Sequence, residues 1–143
     1  MRYPEQLIIP MRRDLTQYGV QETRTPEQVA QLLKPGSGTV LMIVNSVCGC
    51  AAGKARPAVG LALKHHTRPD TAATVFAGAD LEAVQALRDL FPGHLPSSPS
   101  MALFRDGKPV FVLHRQQIET RQPDQIAKLL IEAFDQYCVI ARQ

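Results

Sequence analysis

The sequence predicts an α/β fold, a mixed central sheet flanked by helices. Three observations predict it. Two short runs, T-V-L-M-I-V-N-S-V at 39–47 and T-A-A-T-V-F-A-G at 71–78, have the apolar, β-branched composition of strands buried on both faces. A segment of helical periodicity lies between them, and a strand–helix–strand unit of that kind sets two strands parallel through a right-handed crossover. Further on, R-D-G-K at 105–108 joins two more short strands, and Asp-Gly between alternating apolar residues is the strongest short hairpin signal.

The elements follow in order. Residues 1–24 read as an N-terminal extension or helix, with a short helix expected from Met11 to Tyr18 and ending at Gly19, though its apolar face is weak. Thr25 then stands as an N-cap, Pro26 at the first helical position, and Gln28 completes a capping box. Val29, Leu32 and Leu33 form the apolar face, and Pro35-Gly36 ends the helix. After the first strand, Ala52, Ala55, Val59, Ala62 and Leu63 recur at helical spacing from Ala51 to about His65. Pro57 falls inside and is expected to kink the helix, because it removes an amide donor and crowds the preceding turn. After the second strand, Asp80 is expected to cap a helix bearing Leu81, Val84, Leu87 and Leu90, stopped by Phe91-Pro92-Gly93. The loop H-L-P-S-S-P follows. Ser100 to Phe104 and Val110 to His114 are the hairpin strands. Pro123 opens a last helix with Ile126, Leu129, Leu130, Ala133, Phe134 and Tyr137 on one face.

The chain of 143 residues suits one domain, 1–143 with its core at 25–143, large enough to bury a hydrophobic core without disulfide staples. A net charge of +3, with no basic cluster beyond Arg12-Arg13, is too weak and scattered for a nucleic-acid interface. No apolar run reaches a membrane span, and M-R-Y-P-E-Q-L-I-I-P lacks the long apolar run of a secretory leader. The expected address is the cytoplasm, where thiols are kept reduced. The three cysteines, Cys48, Cys50 and Cys138, then do not form a structural framework, and a close pair among them reads as redox chemistry or metal binding.

The pair is C-G-C at 48–50, where the first strand meets its helix. A mixed sheet between helices with cysteines at that junction is the thioredoxin arrangement. A helix start offers free amide donors and partial positive charge, and both stabilise a thiolate. Cys48 comes first, so it is expected nearest those donors and better exposed: it is the candidate nucleophile. The spacing says more. Residues two apart on an α-helix point about 200° apart, so a disulfide between Cys48 and Cys50 requires Cys48 to lie outside the helix with a permissive residue, Gly49, between them. The ring is tight, and strain raises reduction potential. Such a pair suits thiol exchange, Cys48 accepting a thiol and Cys50 releasing it, better than stable electron storage.

Other readings stand beside this one. Cysteine is often a small buried hydrophobe, which fits Cys138. A metal- or iron–sulfur-binding site could recruit Cys138 or His65 and His66 to the C-x-C pair, but two ligands fall short of the four a closed zinc site wants. Ser98-Pro99 occupies the place where a thioredoxin fold keeps a cis-proline facing the cysteines, its backbone pairing with substrate; a plain trans loop proline is the bland alternative. Asn45 and Ser46 either orient the thiol loop or mark the strand's end. Lys54 and Arg56 read as a solvated helix face, His114 and Glu119 as surface groups, and His65-His66 as the end of a helix.

V-N-S-V-C-G-C-A-A-G-K-A-R-P, T-V-F-A-G, P-S-S-P-S, A-L-F-R-D-G-K and H-R-Q-Q-I-E, with the early P-M-R-R-D-L and the late F-D-Q-Y-C, together resemble the bacilliredoxin family of thioredoxin-like proteins over nearly the whole chain. The resemblance implies a small bacterial cytosolic thiol–disulfide oxidoreductase that removes the low-molecular-weight thiol bacillithiol from S-thiolated client proteins. It implies no resident cofactor, bacillithiol serving as co-substrate, and weak disulfide isomerase or reductase activity. By the same resemblance Cys48 matches the attacking cysteine, Cys50 its partner and Pro99 the cis-proline. Ala79, where the family usually has glutamine, and Thr120, where glycine is common, depart from the pattern and bear on substrate preference. Oligomeric state is not legible in the sequence.

Overall fold

The computed structural model describes residues 2–91 and 98–138. The elements run α1 (Glu5–Thr16), β1 (Gln21–Glu22), α2 (Pro26–Leu32), β2 (Thr39–Asn45), a π-helical turn (Ala51–Ala55) leading into α3 (Arg56–Ala62), β3 (Thr71–Phe76), α4 (Leu81–Arg88), β4 (Ser100–Arg105), β5 (Lys108–Leu113), α5 (Arg115–Glu119) and α6 (Pro123–Tyr137). The proposed stop at Pro92-Gly93 and the loop residues 94–97 lie outside the described residues.

The sheet has the order β1-β3-β2-β4-β5, with β1, β3 and β2 parallel and β4 and β5 antiparallel. This is the expected mixed sheet, with the apolar run of β2 at its centre. Every residue of β2 is buried, and the two-residue period of a strand sorts them between two layers. Leu41 and Ile43 pack with Val59 of α3 and with Leu130 and Phe134 of α6. Val40, Met42 and Val44 pack with Val29 of α2 and with Val84 and Leu87 of α4. The hairpin turn has Asp106 at φ 52° and Gly107 at φ 85°, the two left-handed positions that a two-residue type I′ turn requires.

Four features differ from the sequence-based expectation. First, α1 starts at Glu5 rather than Met11 and runs through Pro10. Ile8, Arg12 and Leu15 form its buried face, and burying Ile8 offsets the one helical hydrogen bond that Pro10 cannot donate. Second, the helix expected over 51–65 runs unbroken from the π-helical turn into α3 but ends at Ala62, and Pro57 sits just after the π-helical turn, where the change of helical register tolerates a missing amide. Third, Asp80 makes no side-chain cap for α4. Its carboxylate instead takes both Arg12 Nη atoms, at 2.9 and 3.0 Å, and the Phe76 amide at 3.0 Å. Fourth, β1 and α5 were not expected; each is too short for periodicity to register.

A candidate redox site at the end of the central strand

The carboxyl end of β2 delivers Asn45 and Ser46 to the thiol loop. Asn45 Nδ2 donates to the Met11 carbonyl at 3.1 Å, and its Oδ1 accepts the Ser46 amide at 2.9 Å. That ties the strand end to α1 and fixes the direction in which the chain leaves the sheet. Ser46 is buried. Its hydroxyl donates to Cys48 Sγ at 3.3 Å, and its oxygen accepts the Cys48 amide, also at 3.3 Å. Both readings of these residues hold: β2 ends at Asn45, and the two side chains orient the loop that follows.

Cys48 stands at the helix boundary. Its carbonyl accepts the amides of Ala51 at 3.1 Å and Ala52 at 3.3 Å, so it lies outside the helix that follows, as the C-x-C spacing demands. Burial pushes its pKa up, but the Ser46 hydroxyl, the amides of Ala51 and Cys50 and the positive charge of Arg115 outweigh burial and hold it below the ordinary thiol value. Cys48 and Cys50 are both partly exposed, so the surrounding donors rather than exposure distinguish Cys48. Gly49 lies outside the left-handed region, and a Cβ there would meet nothing within 4 Å. Its missing side chain therefore leaves the surface beside the thiols uncovered, while its backbone freedom is not used in this dithiol form.

The Ser98–Pro99 peptide bond is cis and precedes β4, which pairs antiparallel with β2. Ser98 and Cys48 line a common cleft of about 250 Å³ with Tyr3, Ser46, Gly78 and Arg115. The Tyr3 ring lies against Gly78 so closely that a Cβ there would come within 2.5 Å of it, and the Tyr3 amide donates to the Gly78 carbonyl at 2.9 Å. The N-terminal segment thus walls the cleft, which no pattern in the sequence announced.

Helix α5 supplies the rest. Ile118 is fully buried, and the His114 amide donates to Gln117 Oε1 at 2.9 Å, so five residues suffice to hold the helix in place. Arg115 Nη1 donates to the Ser98 carbonyl at 3.1 Å and Arg115 Nε to Glu119 Oε2 at 3.2 Å. Glu119, expected as an ordinary surface group, accepts from Cys50 Sγ at 3.9 Å, and Lys54 Nζ donates to the Glu119 carbonyl at 2.6 Å. His114 itself is exposed. Of the solvated face expected for Lys54 and Arg56, Lys54 stays partly exposed while Arg56 is a correction. Arg56 is 3% exposed; its Nη1 donates to the Met11 carbonyl at 3.2 Å and its Nε lies 3.5 Å from Asp14. The signal for α5 was present in H-R-Q-Q-I-E as an Arg and a Glu four residues apart, but nothing in the spacing shows which way such a pair faces.

The ligand set of the metal reading does not come together. Cys138 lies beside Thr39, at the opposite end of β2 from Cys48, roughly 20 Å away at the rise of a strand. His65 Nε2 lies 2.8 Å from Asp135 Oδ1 of α6. Among the described residues no three His, Cys, Asp or Glu side chains are grouped to hold a metal ion. Nor is any helix among them long and apolar enough to cross a membrane.

A thiol with a lowered pKa at a helix start, a second thiol two residues on and a cis-proline opposite, all on a mixed sheet between helices, define a thiol–disulfide oxidoreductase of thioredoxin-like fold. The fold is shared with a solved thioredoxin of Malassezia sympodialis, at a TM-score of 0.57 and 13% identity over 82% of this chain and 90% of that one. The family model described as disulphide isomerase matches residues 3–138. A bacilliredoxin of Koribacter versatilis is 50% identical over 95% of this chain and 94% of its own length. One from Salinibacter ruber is 54% identical over 96% and 82%, and one from Halalkalibacterium halodurans 44% over 95% and 94%. The chain belongs to the bacilliredoxin family.

Proposed function

We propose that this protein removes a low-molecular-weight thiol of the bacillithiol type from protein mixed disulfides. The observation that carries the reading is the setting of Cys48: a thiol held below its usual pKa by a hydroxyl, two amides and a guanidinium, opening onto a cleft of about 250 Å³. A thiolate is the attacking species in exchange, and the cleft gives the sulfur of a mixed disulfide a place beside it.

In this reading the Cys48 thiolate attacks the small-thiol sulfur of the mixed disulfide. The client protein leaves with its cysteine reduced, and Cys48 keeps the adduct. Cys50 or a second free thiol then clears it. Gly49 and Ser98 border the surface against which the substrate rests, the cis Pro99 sets the course of the chain behind Ser98, and Asn45 and Ser46 hold the loop in register. No resident cofactor is required; the small thiol is a co-substrate, the partners are S-thiolated client proteins, and the setting is the cytoplasm. Disulfide reductase or isomerase activity is a weaker side activity of the same pair.

The test is to incubate a bacillithiolated client with the protein and follow the client's intact mass. Wild type and Cys50→Ser are expected to strip the client, and Cys48→Ser to leave it modified. A client that keeps its thiol in the presence of folded wild type contradicts the reading. A parallel glutathionylated client reports the preference between small thiols.

A further inference from the structure

The resolving step has a requirement that the C-G-C segment does not meet. The donors gathered at the helix start converge on Cys48, including the amide of Cys50 itself. The thiolate is the attacking species, so a protonated Cys50 must hand off its proton when it attacks. A carboxylate lies against it: Glu119 Oε2 is 3.9 Å from Cys50 Sγ, with the thiol donating. That oxygen is positioned by Arg115 Nε at 3.2 Å, and the Glu119 main chain by Lys54 Nζ at 2.6 Å. The buried Ile118 anchors the helix beneath. The charged group on the carboxylate is therefore Arg115 from its own helix, while Lys54 from the π-helical turn holds the main chain beside it. Arg121 turns instead to the Gln117 carbonyl, at 2.9 Å.

We propose that Glu119 is a catalytic residue, the proton acceptor for Cys50 in the step that resolves the Cys48 adduct. The proposal rests on the exchange reading above. The Cys50 proton passes to the Glu119 carboxylate as the Cys50 sulfur bonds to Cys48 Sγ. The bond between Cys48 and the small thiol breaks, and the departing thiolate takes the proton back from Glu119. The adduct and the Cys50 thiol thus become a Cys48–Cys50 disulfide and a free small thiol, with no other oxidant or reductant involved. Arg115 is a positioning residue: it holds the acceptor oxygen and, through the Ser98 carbonyl, ties it to the cleft wall.

Glu119→Gln tests this, because it keeps an oxygen for Arg115 and removes the base. Two rates are followed with a client carrying an isotopically labelled small thiol: loading of the label onto Cys48 in a Cys50→Ser background, and release of label with Cys50 intact. Loading is expected to be unchanged within about twofold. Release at pH 7 is expected to slow about tenfold or more, below the roughly hundredfold at which general-base effects usually start, because water competes at this exposed site. The deficit should narrow as pH rises, because hydroxide then takes the proton in place of the carboxylate. Equal release rates at pH 7 with normal loading overturn the proposal and leave the exchange reading standing. A deficit that persists unchanged at high pH also overturns it, since it marks a structural effect. Absence of loading in the Cys50→Ser protein with Glu119 in place overturns the exchange reading and the proposal with it.

Discussion

The Ser46 hydroxyl bridges the two ends of Cys48, donating to its Sγ and accepting from its amide, each at 3.3 Å. The amide orients the hydroxyl oxygen, which leaves the hydroxyl hydrogen for the sulfur. A thiolate therefore finds a donor already aimed at it, without a rotor to order on ionisation. Asn45 sets this up by gripping the Ser46 amide and the Met11 carbonyl together.

Ser46→Ala removes that donor. At pH 7 the alkylation rate of Cys48 by iodoacetamide is expected to fall about fivefold, the equivalent of one net hydrogen bond of about 1 kcal/mol, and its pH profile to move upward. An unchanged profile would mean that the helix-start amides and Arg115 set the thiolate without the hydroxyl.

The two ends of β2 carry thiols of opposite character. Cys48 is held below the ordinary thiol value, whereas burial pushes Cys138 up, against a hydrogen bond from Thr39 and with Asp70 adding to the rise. Only the thiolate alkylates. Reactivity of Cys48 should therefore persist as pH falls below the ordinary thiol range, and that of Cys138 should emerge only above it. At pH 7 Cys48 is expected to react faster by about an order of magnitude, since both ionisation and access favour it. Peptide mapping of label across pH checks the order; equal labelling of Cys138 at pH 7 contradicts it.

Much of this fold was legible because β2 and β3 are continuous apolar, β-branched runs, because α6 keeps one helical period, and because Asp106-Gly107 allows few turns. The junction that holds Cys48 and Cys50 was legible for the same reason: a strand ended and a helix began around them. What stayed hidden depended on tertiary contacts. Glu119 and Arg115 look like any solvated pair until the chain folds α5 against the thiol loop. Arg56 looked solvated because its neighbours Asp14 and Met11 are distant in sequence. Asp80 has the composition and place of an N-cap, but Arg12 from α1 competes for the same carboxylate and takes it.

That competition predicts a stability effect. Arg12 is 4% exposed and Asp80 6%, and the guanidinium also meets Glu5 at 2.8 Å and Glu22 at 3.2 Å. Arg12→Ala leaves the Asp80 carboxylate buried without its cation, which costs about 3–5 kcal/mol. Arg12→Lys is expected to recover only part, because one ammonium cannot reproduce the bidentate pair. Urea unfolding measures both; a loss under 1 kcal/mol for the alanine variant would show the network to be dispensable.

The C-x-C spacing predicts the redox poise. Cys48 lies outside the helix and Cys50 at its start, so a bridge between them closes a small ring against the helical geometry. Its reduction potential is expected above the roughly −270 mV of thioredoxin. Equilibration with glutathione buffers, read by thiol trapping, gives the value, and one well below −270 mV removes the strain argument.

The central claim is that Cys48 is the sulfur that accepts the small thiol, and mapping the adduct tests it most directly. Cys50→Ser is mixed with a bacillithiolated client, alkylated, digested, and the peptide holding residues 48–50 is read by tandem mass spectrometry. The account predicts bacillithiol on Cys48 in amounts matching the client cysteine freed. A folded Cys50→Ser protein whose Cys48 carries only the alkylating agent, with the client still modified, would contradict it.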